Sequence, residues 1–309
     1  MSQLLRREPS SAPRAPQSLG LGTTTACWSP LAEREHRVVC TTSEIEGAVP
    51  PHMHAQHHVG VVERGTATLR SEGRRWTIGP GDLIWNVPRQ IHSISSEYCR
   101  CRWIAVDEHS VERIASLSGL SVPEETRVFT DASRAAELLE LHQRLENGAV
   151  TQPAASTLAN VIAALARAPA NGALLPPSLT TELEECRLAI RKRYADGLRL
   201  TDLAAIAGMS LFHLARTFAR VLGVPPHTYL LHLRVAWAQS LLRRGLAGSR
   251  VAYEVGFSDQ SHCIRVHHRF LGVSPFAVLS LERTLPVMAA GFAELPEAVR
   301  RAITSIWLP

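Results

Sequence analysis

Residues Leu203–Pro226, LAAIAGMSLFHLARTFARVLGVPP, and Val251–Pro275, VAYEVGFSDQSHCIRVHHRFLGVSP, are two versions of one pattern. Gly208 aligns with Gly256, Ser210 with Ser258, Arg216 with Arg265, Gly223 with Gly272 and Pro226 with Pro275. The offset grows from 48 to 49 residues because the second unit is one residue longer after its serine. Each unit reads as a short apolar helix ending at a glycine, where the missing Cβ permits the left-handed backbone of a sharp turn. A serine then caps a second helix. That helix alternates apolar anchors with polar and basic residues, as a helix entering a DNA major groove must. Between the units, HTYLLHLRVAWAQSLLRRG (His227–Gly245) reads as one long helix able to fix their spacing. Two such units on one rigid body would enter successive major grooves roughly 34 Å apart on one face of the duplex.

Charge agrees with this pattern. From Pro177 to Leu285 the chain carries 14 Lys and Arg against 8 Asp and Glu, whereas the other 200 residues carry 19 against 20. The excess positive charge lies with the repeat, which suits a polyanionic partner. The whole chain of 309 residues, 45% hydrophobic and 20% charged, has the length of about two domains and enough apolar residues for a core. No apolar run approaches the roughly 18 residues of a membrane span. The first 20 residues, MSQLLRREPSSAPRAPQSLG, lack a signal-peptide core and read as a disordered Pro/Ser/Arg arm. Cys27, Cys40, Cys99, Cys101, Cys186 and Cys263 form no disulfide framework. Free thiols in a reducing cytoplasm are the simpler expectation.

From about Cys27 to Asp107 the texture is β: short runs of alternating apolar residues, with Gly65, Gly73 and Gly79-Pro80-Gly81-Asp82 expected to mark turns. Such spacing favours a barrel or sandwich. After Asp107 the pattern becomes helical. TDASRAAELLELHQRLENG has Asp131 as its N-cap, and PAASTLANVIAALARAP places Leu158, Val161, Ile162 and Leu165 on one face. These helices would pack on the β domain or form a homodimer seam. APANGALLPPS (Ala168–Ser178) reads as the interdomain linker.

With these motifs in place, Leu203–Leu279 resembles the DNA-binding domain of AraC-family transcription regulators, down to GFSDQSH, GVSP and the connecting helix from Pro226 to Leu242. The β region resembles the cupin-like sensor domain of many members. The resemblance implies an α+β chain of two domains: an N-terminal cupin-like β-barrel with linker helices and a C-terminal all-α tandem helix-turn-helix domain. The expected divisions are a disordered arm (1–25), the sensor barrel (26–110), a helical linker and dimerisation region (111–170), a flexible linker (171–178), the DNA-binding domain (179–283) and a C-terminal extension (284–309).

By position in the family motif, base contacts should come from Phe212, Ala215 and Arg216 in the first unit, and from Gln260, Ser261 and Arg265 in the second. The chemistry agrees: Arg pairs with guanine, Gln with adenine, and an aromatic ring or Ala packs on a thymine methyl. Ser210, His213, Ser258 and His262 suit capping or phosphate contact, which positions the protein without reading sequence. Three residues depart from the pattern. Gly248 stands where an apolar residue is usual, and Cys263 and His267 stand where large apolar side chains fill the core of the second unit, which predicts looser packing there.

The second motif is PPHMHAQHHVGVVERG (Pro50–Gly65), with His52, His54, His57 and His58 close together. As one strand it would point His52, His54 and His58 one way and His57 the other. Gly81-Asp82 followed by Pro88 and His92 resembles a second cupin motif. Metal-binding cupins use a similar set, with a carboxylate where this chain has His58. His52, His54, His58 and His92 therefore have three readings: a site for a divalent transition metal, the lining of an effector pocket shaped also by Trp85 and Asn86, or structural groups. Cys99 and Cys101 share a strand face with Trp103 and read as buried hydrophobes rather than an oxidant sensor. ELPEAVRRAITSIW near the C-terminus reads as a helix without an assigned role.

The expected function is a cytoplasmic, sequence-specific DNA-binding regulator, not an enzyme, modulated by a small molecule or metal in the barrel. Its partners would be double-stranded DNA, the effector, RNA polymerase if it activates, and a second copy in a homodimer, with no membrane. The rival readings are a cupin metalloenzyme with an appended DNA-binding domain, and a constitutive architectural DNA-binding protein.

Overall fold

Gly73 (φ +80°) and Gly81 (φ +86°) occupy turns as their context predicts, but Gly65 (φ +73°) does not. It lies inside a fifteen-residue strand, beside a break in register against the strand 92–106, and a Cβ on it would stand 2.1 Å from the Tyr98 carbonyl oxygen. Gly65 therefore marks a β-bulge, which bends a long strand instead of ending it.

The computed structural model describes residues 24–28, 38–146, 152–169, 173–174, 180–272 and 274–277. In chain order these form β1 (Thr24–Trp28), β2 (Val38–His52), β3 (His57–Ser71), β4 (Arg74–Ile78), β5 (Asp82–Asn86), β6 (His92–Val106), α1 (Glu108–Leu117), β7 (Arg127–Thr130), α2 (Ala132–Glu146), α3 (Gln152–Arg167), β8 (Ala173–Leu174), α4 (Thr181–Lys192), α5 (Leu200–Ile206), α6 (Leu211–Leu222), α7 (Pro226–Arg243), α8 (Gly248–Glu254) and α9 (Gln260–Leu271).

The strands make one antiparallel sheet in the order β1-β2-β6-β3-β4-β8, with β5 on β3 and β7 on β5. Bulges in β2 and β3 let the long strands curl, so that His92, Ile94 and Trp103, from both ends of β6, line one cavity. The two faces carry separate cores. On the convex face Val59, Val61, Leu83, Trp85 and Ile104 pack under α1, α2 and α3, with Leu138, Leu145, Val161 and Ile162 fully buried. On the concave face Ile45, Leu69, Ile84, Ile94, Cys99, Cys101 and Trp103 form the second cluster.

Several expectations need adjustment. The region after Asp107 is not purely helical: Arg127–Thr130 returns to pair with β5, and Ala173–Leu174, inside the expected flexible linker, pairs with β4. The rest of that linker, most of the arm at 1–25 and the extension at 284–309 lie outside the described residues, as does the ELPEAVRRAITSIW helix. Thr24 and Thr25, assigned to the arm, open β1. Asp131 caps α2 as expected, its carboxylate accepting from Arg134 N at 3.0 Å. The sulfurs of Cys99 and Cys101 lie 3.4 Å apart, both fully buried.

The C-terminal helices hold the two repeat units. In the first, α5 and α6 meet at Gly208 (φ +60°), and Ser210 accepts from His213 N at 3.2 Å. In the second, α8 and α9 meet at Gly256 (φ +84°), but the cap is Asp259, whose carboxylate accepts from His262 N at 2.7 Å. Ser258 instead donates to Asp259 at 2.9 Å. The extra residue in the second unit moved the cap one place along. Gly248 opens α8 beneath Phe276, whose ring atoms would stand 2.3 Å from a Cβ there, so the small residue makes room for an aromatic lid. His267 is fully buried, and the side-chain amide of Gln239 on α7 donates to its Nε2 at 3.3 Å. The second unit thus holds a polar pair in a core with Cys263, Val251, Val255 and Phe257.

Candidate functional site

β2 ends at His52 and β3 begins at His57, with bends at Ala55 and Gln56 between them, so the histidines do not belong to one strand. Even so, His52, His54 and His58 face one cavity, and His57 turns away to the convex core. There it accepts from Trp85 Nε1 at 2.8 Å. His92 pairs with His52 across β2 and β6 and completes the group. The ring centroids of His52 and His92 are 4.2 Å apart, and those of His54 and His92 are 4.8 Å apart. His58 stacks on His54 at 3.7 Å, with the planes only 14° apart. The nitrogens that converge are those of His52, His54 and His92, all within 4.8 Å of one another.

The cavity is small, with about 30 Å³ of open space inside it, and is lined also by Ser43, Ile45, Val49, Leu69, Asn86, Ile94 and Trp103. Trp85 is not among the lining residues: β-strand alternation puts Asn86 inside and sends Trp85 to the helix-covered face. Trp103 takes the wall position instead. Its ring lies over Gly60, where a Cβ would be 2.3 Å from it, and its indole donates to Ser43 at 2.9 Å.

Burial is the main reason these imidazoles stay neutral. It drives His52, His54 and His58 well below the ordinary histidine value, with the neighbouring rings and, for His54 and His58, the Arg243 charge on α7 adding to the effect. His92 falls to about 4 for the same first reason, and a hydrogen bond to a backbone carbonyl opposes the fall. His52 Nδ1 lies 2.9 Å from the Pro50 carbonyl, and His92 Nδ1 lies 3.0 Å from the Gln90 carbonyl. A carbonyl can only accept, so both rings carry their proton on Nδ1 and keep a lone pair on Nε2.

The rim of this cavity is also the contact with the helical domain. Met53 and Ile91 are buried among Leu183, Cys186, Leu214, Phe218 and Leu230 of α4, α6 and α7. Arg89 bonds Glu108 with two nitrogens, and its guanidinium lies 3.9 Å above Trp237. Its carbonyl accepts from Arg191 at 2.7 Å, while its N–H donates to the His54 carbonyl at 2.8 Å. Glu72 accepts from Arg187 and Tyr229, each at 3.1 Å. Among the described residues, Glu72 (φ +47°) and Arg89 (φ +58°) are the non-glycine residues with positive φ. Such backbone costs on the order of 1–3 kcal/mol and persists where the surroundings impose it. Both lie at the contact between the two halves.

On α6, Phe212 is 69% exposed and Arg216 stacks its guanidinium 4.3 Å from the Phe212 ring. Ala215 is half-buried beside them on α6. On α9, Ser261 and Arg265 are exposed, while Gln260 is half-buried with its amide beside Gly248. Both second helices therefore present polar and aromatic side chains outward from a packed apolar base of Leu214, Phe218, Cys263 and Val266.

Residues 42–162 match the AraC-like ligand binding domain, and residues 203–280 match a helix-turn-helix domain. The chain belongs to the AraC family of transcription regulators. This regulator is 28% identical over 223 residues to the uncharacterized HTH-type transcriptional regulator YbfI of Bacillus subtilis (strain 168), covering 69% of this chain and 80% of that one. It is 26% identical over 233 residues to the MmsAB operon regulatory protein of Pseudomonas aeruginosa, covering 72% and 75%. With the HTH-type transcriptional activator RhaS of Shigella boydii it shares 25% identity over 246 residues, covering 73% and 86%. The regulator thus combines a DNA-binding domain with an N-terminal ligand-binding domain, and none of its described helices is long and apolar enough to cross a membrane.

Sequence reading had Asn86 in the cavity, where the structure places it, but missed Trp103 as its other wall and Glu72 and Arg89 as interdomain contacts. Trp103 was legible from register: it pairs with Gly60 two places along β3 from the pairing of His58 with Asn86. Nothing local in the sequence marks Glu72 or Arg89, because their roles depend on a domain more than 90 residues away.

Proposed function

We propose that this regulator reads DNA with α6 and α9 and that occupancy of the histidine-lined cavity changes how those helices are held. Base contacts would come from Phe212, Ala215 and Arg216 on α6 and from Gln260, Ser261 and Arg265 on α9. His213 and His262, at the outer ends of those helices, would meet phosphate. The observation that carries the coupling is alternation along the rim. His52 and His54 face the cavity while Met53 between them packs on the helical domain; His92 faces the cavity while Ile91 and Arg89 contact that domain. A molecule that moves the histidines must move residues on which the DNA-binding domain rests. It shifts the population of arrangements to the extent that it binds one better than another.

The protein then acts by binding, in the cytoplasm, and does not turn its effector over. RNA polymerase is its partner where it activates, and the outer faces of α2 and α3 are the seam of a homodimer. The test is Arg187→Ala, which removes a mostly buried partner of Glu72. The expected result is a larger radius of gyration by small-angle X-ray scattering and an altered affinity for a selected DNA site, with helix content unchanged. Identical scattering and identical affinity would dismiss the coupling.

A further inference from the structure

We propose that His52, His54 and His92 hold one divalent transition-metal ion of the zinc type, with Asn86 accepting a hydrogen bond from the water or effector atom on its open position. The proposal rests on the reading of this cavity as the sensor site and names its occupant. Each ring offers one nitrogen, and the three lie within 4.8 Å of one another. Zinc–imidazole bonds of about 2.0–2.1 Å place tetrahedral ligand nitrogens about 3.4 Å apart. Closing onto an ion therefore asks for inward ring movements of about an ångström, within the reach of small χ rotations.

Two independent features point to a ligand rather than a cluster of convenience. The first is the fixed tautomer. His52 and His92 each donate Nδ1–H to a backbone carbonyl, at 2.9 and 3.0 Å, which orients the ring and reserves Nε2. This outer hydrogen bond is what metal-ligating histidines almost always make. The second is Asn86. Asn86 is 3% exposed and lines the same cavity, and among the described residues its Oδ1 has no hydrogen-bond partner. Buried acceptors are normally satisfied, so one left open on a cavity wall calls for a donor inside it. A metal-bound water supplies such a donor. Among the described residues the cavity lining contains no carboxylate or thiolate, so the donor set is all imidazole, which suits zinc, nickel, copper or iron and gives calcium and magnesium no oxygen cage. The remaining wall, Ile45, Val49, Leu69, Ile94 and Trp103, is apolar and leaves the open position beside a greasy surface.

The experiment strips the full-length protein with a chelator, titrates it with Co(II) as a spectroscopic probe and displaces the probe with Zn(II). The expected result is one Co(II) per chain with the ligand-field bands of a four- or five-coordinate nitrogen site. His52→Ala and His92→Ala should each weaken binding at least about tenfold, while His109→Ala, on the exposed side of α1, binds as the parent does. Circular dichroism reports folding. If an alanine variant unfolds, His52→Gln and His92→Gln are measured in its place. Absence of Co(II) uptake, or uptake that survives both substitutions, overturns the site. Binding to a selected DNA is followed separately on the metal-free chain. Specific DNA binding without Co(II) uptake removes the metal and leaves the DNA-reading helices standing. Co(II) uptake without specific DNA binding supports the metal and removes the regulatory reading.

Discussion

His57 and His58 are neighbours with opposite surroundings, and the difference shows how far one residue's chemistry depends on the face it takes. His57 accepts from Trp85 in the convex core, where burial first and the Arg89 charge second lower its pKa to about 3. A histidine in the unfolded chain titrates near 6.5. Between those values the unfolded chain binds a proton that the folded chain refuses, so the stability is complete above about pH 6.5 and is lost as pH falls toward 3. His92, with a folded value of about 4, acts in the same direction. The midpoint of thermal unfolding should fall steadily from pH 6.5 to pH 4; a flat profile would mean that these rings are not buried as described. The caps offer a second test at this scale. Asp259→Ala should lower the denaturant midpoint because it removes the acceptor for His262 N, whereas Ser258→Ala should lower it clearly less. Equal losses would return the cap to the serine that the repeat alignment first suggested.

At the scale of elements, the tandem helix-turn-helix units were legible because local signals agree with one another. A glycine at the turn, an apolar face and a proline after the second helix recur in both copies, and a cap opens the second helix in each, one place later in the second copy. The histidine stretch was harder. Its residues were sorted between two faces as the structure has them, but on the assumption of one strand, whereas one strand ends at His52 and the next begins at His57. The assignment survived because both strand ends meet at the cavity rim. Trp85 was assigned to the cavity without its neighbour's register, and the pairing of His58 with Asn86 is what sends it outward. Gly60 carries the complementary lesson: it looked like part of an ordinary strand, yet it is the floor on which Trp103 rests. Gly60→Ala should therefore push the indole off that floor, costing about 1–3 kcal/mol by overpacking, and should change Trp fluorescence. An unchanged spectrum and unchanged stability would mean that Trp103 packs elsewhere.

For the molecule as a whole, the sensor and the DNA-reading helices share a boundary built from alternate residues of the same two segments, 52–54 and 89–92. That boundary could not be read from sequence, since it joins residues far apart in the chain and rests on strained backbone at Glu72 and Arg89. The DNA-binding half makes the more direct demand. Phe212 and Arg216 on α6 and Arg265 on α9 are held outward by packed cores, with the buried α7 fixed between the two units. Each arginine should contribute about 1–3 kcal/mol of discrimination at one position. The measurement that tests this most directly is a footprint of the full chain on a site selected from random DNA, repeated with Arg216→Ala and Arg265→Ala. The account predicts two protected elements per chain, centred about one helical turn apart on one face of the duplex, with each substitution relaxing one element and sparing the other. A single element, or sequence preference untouched by both substitutions, would contradict it.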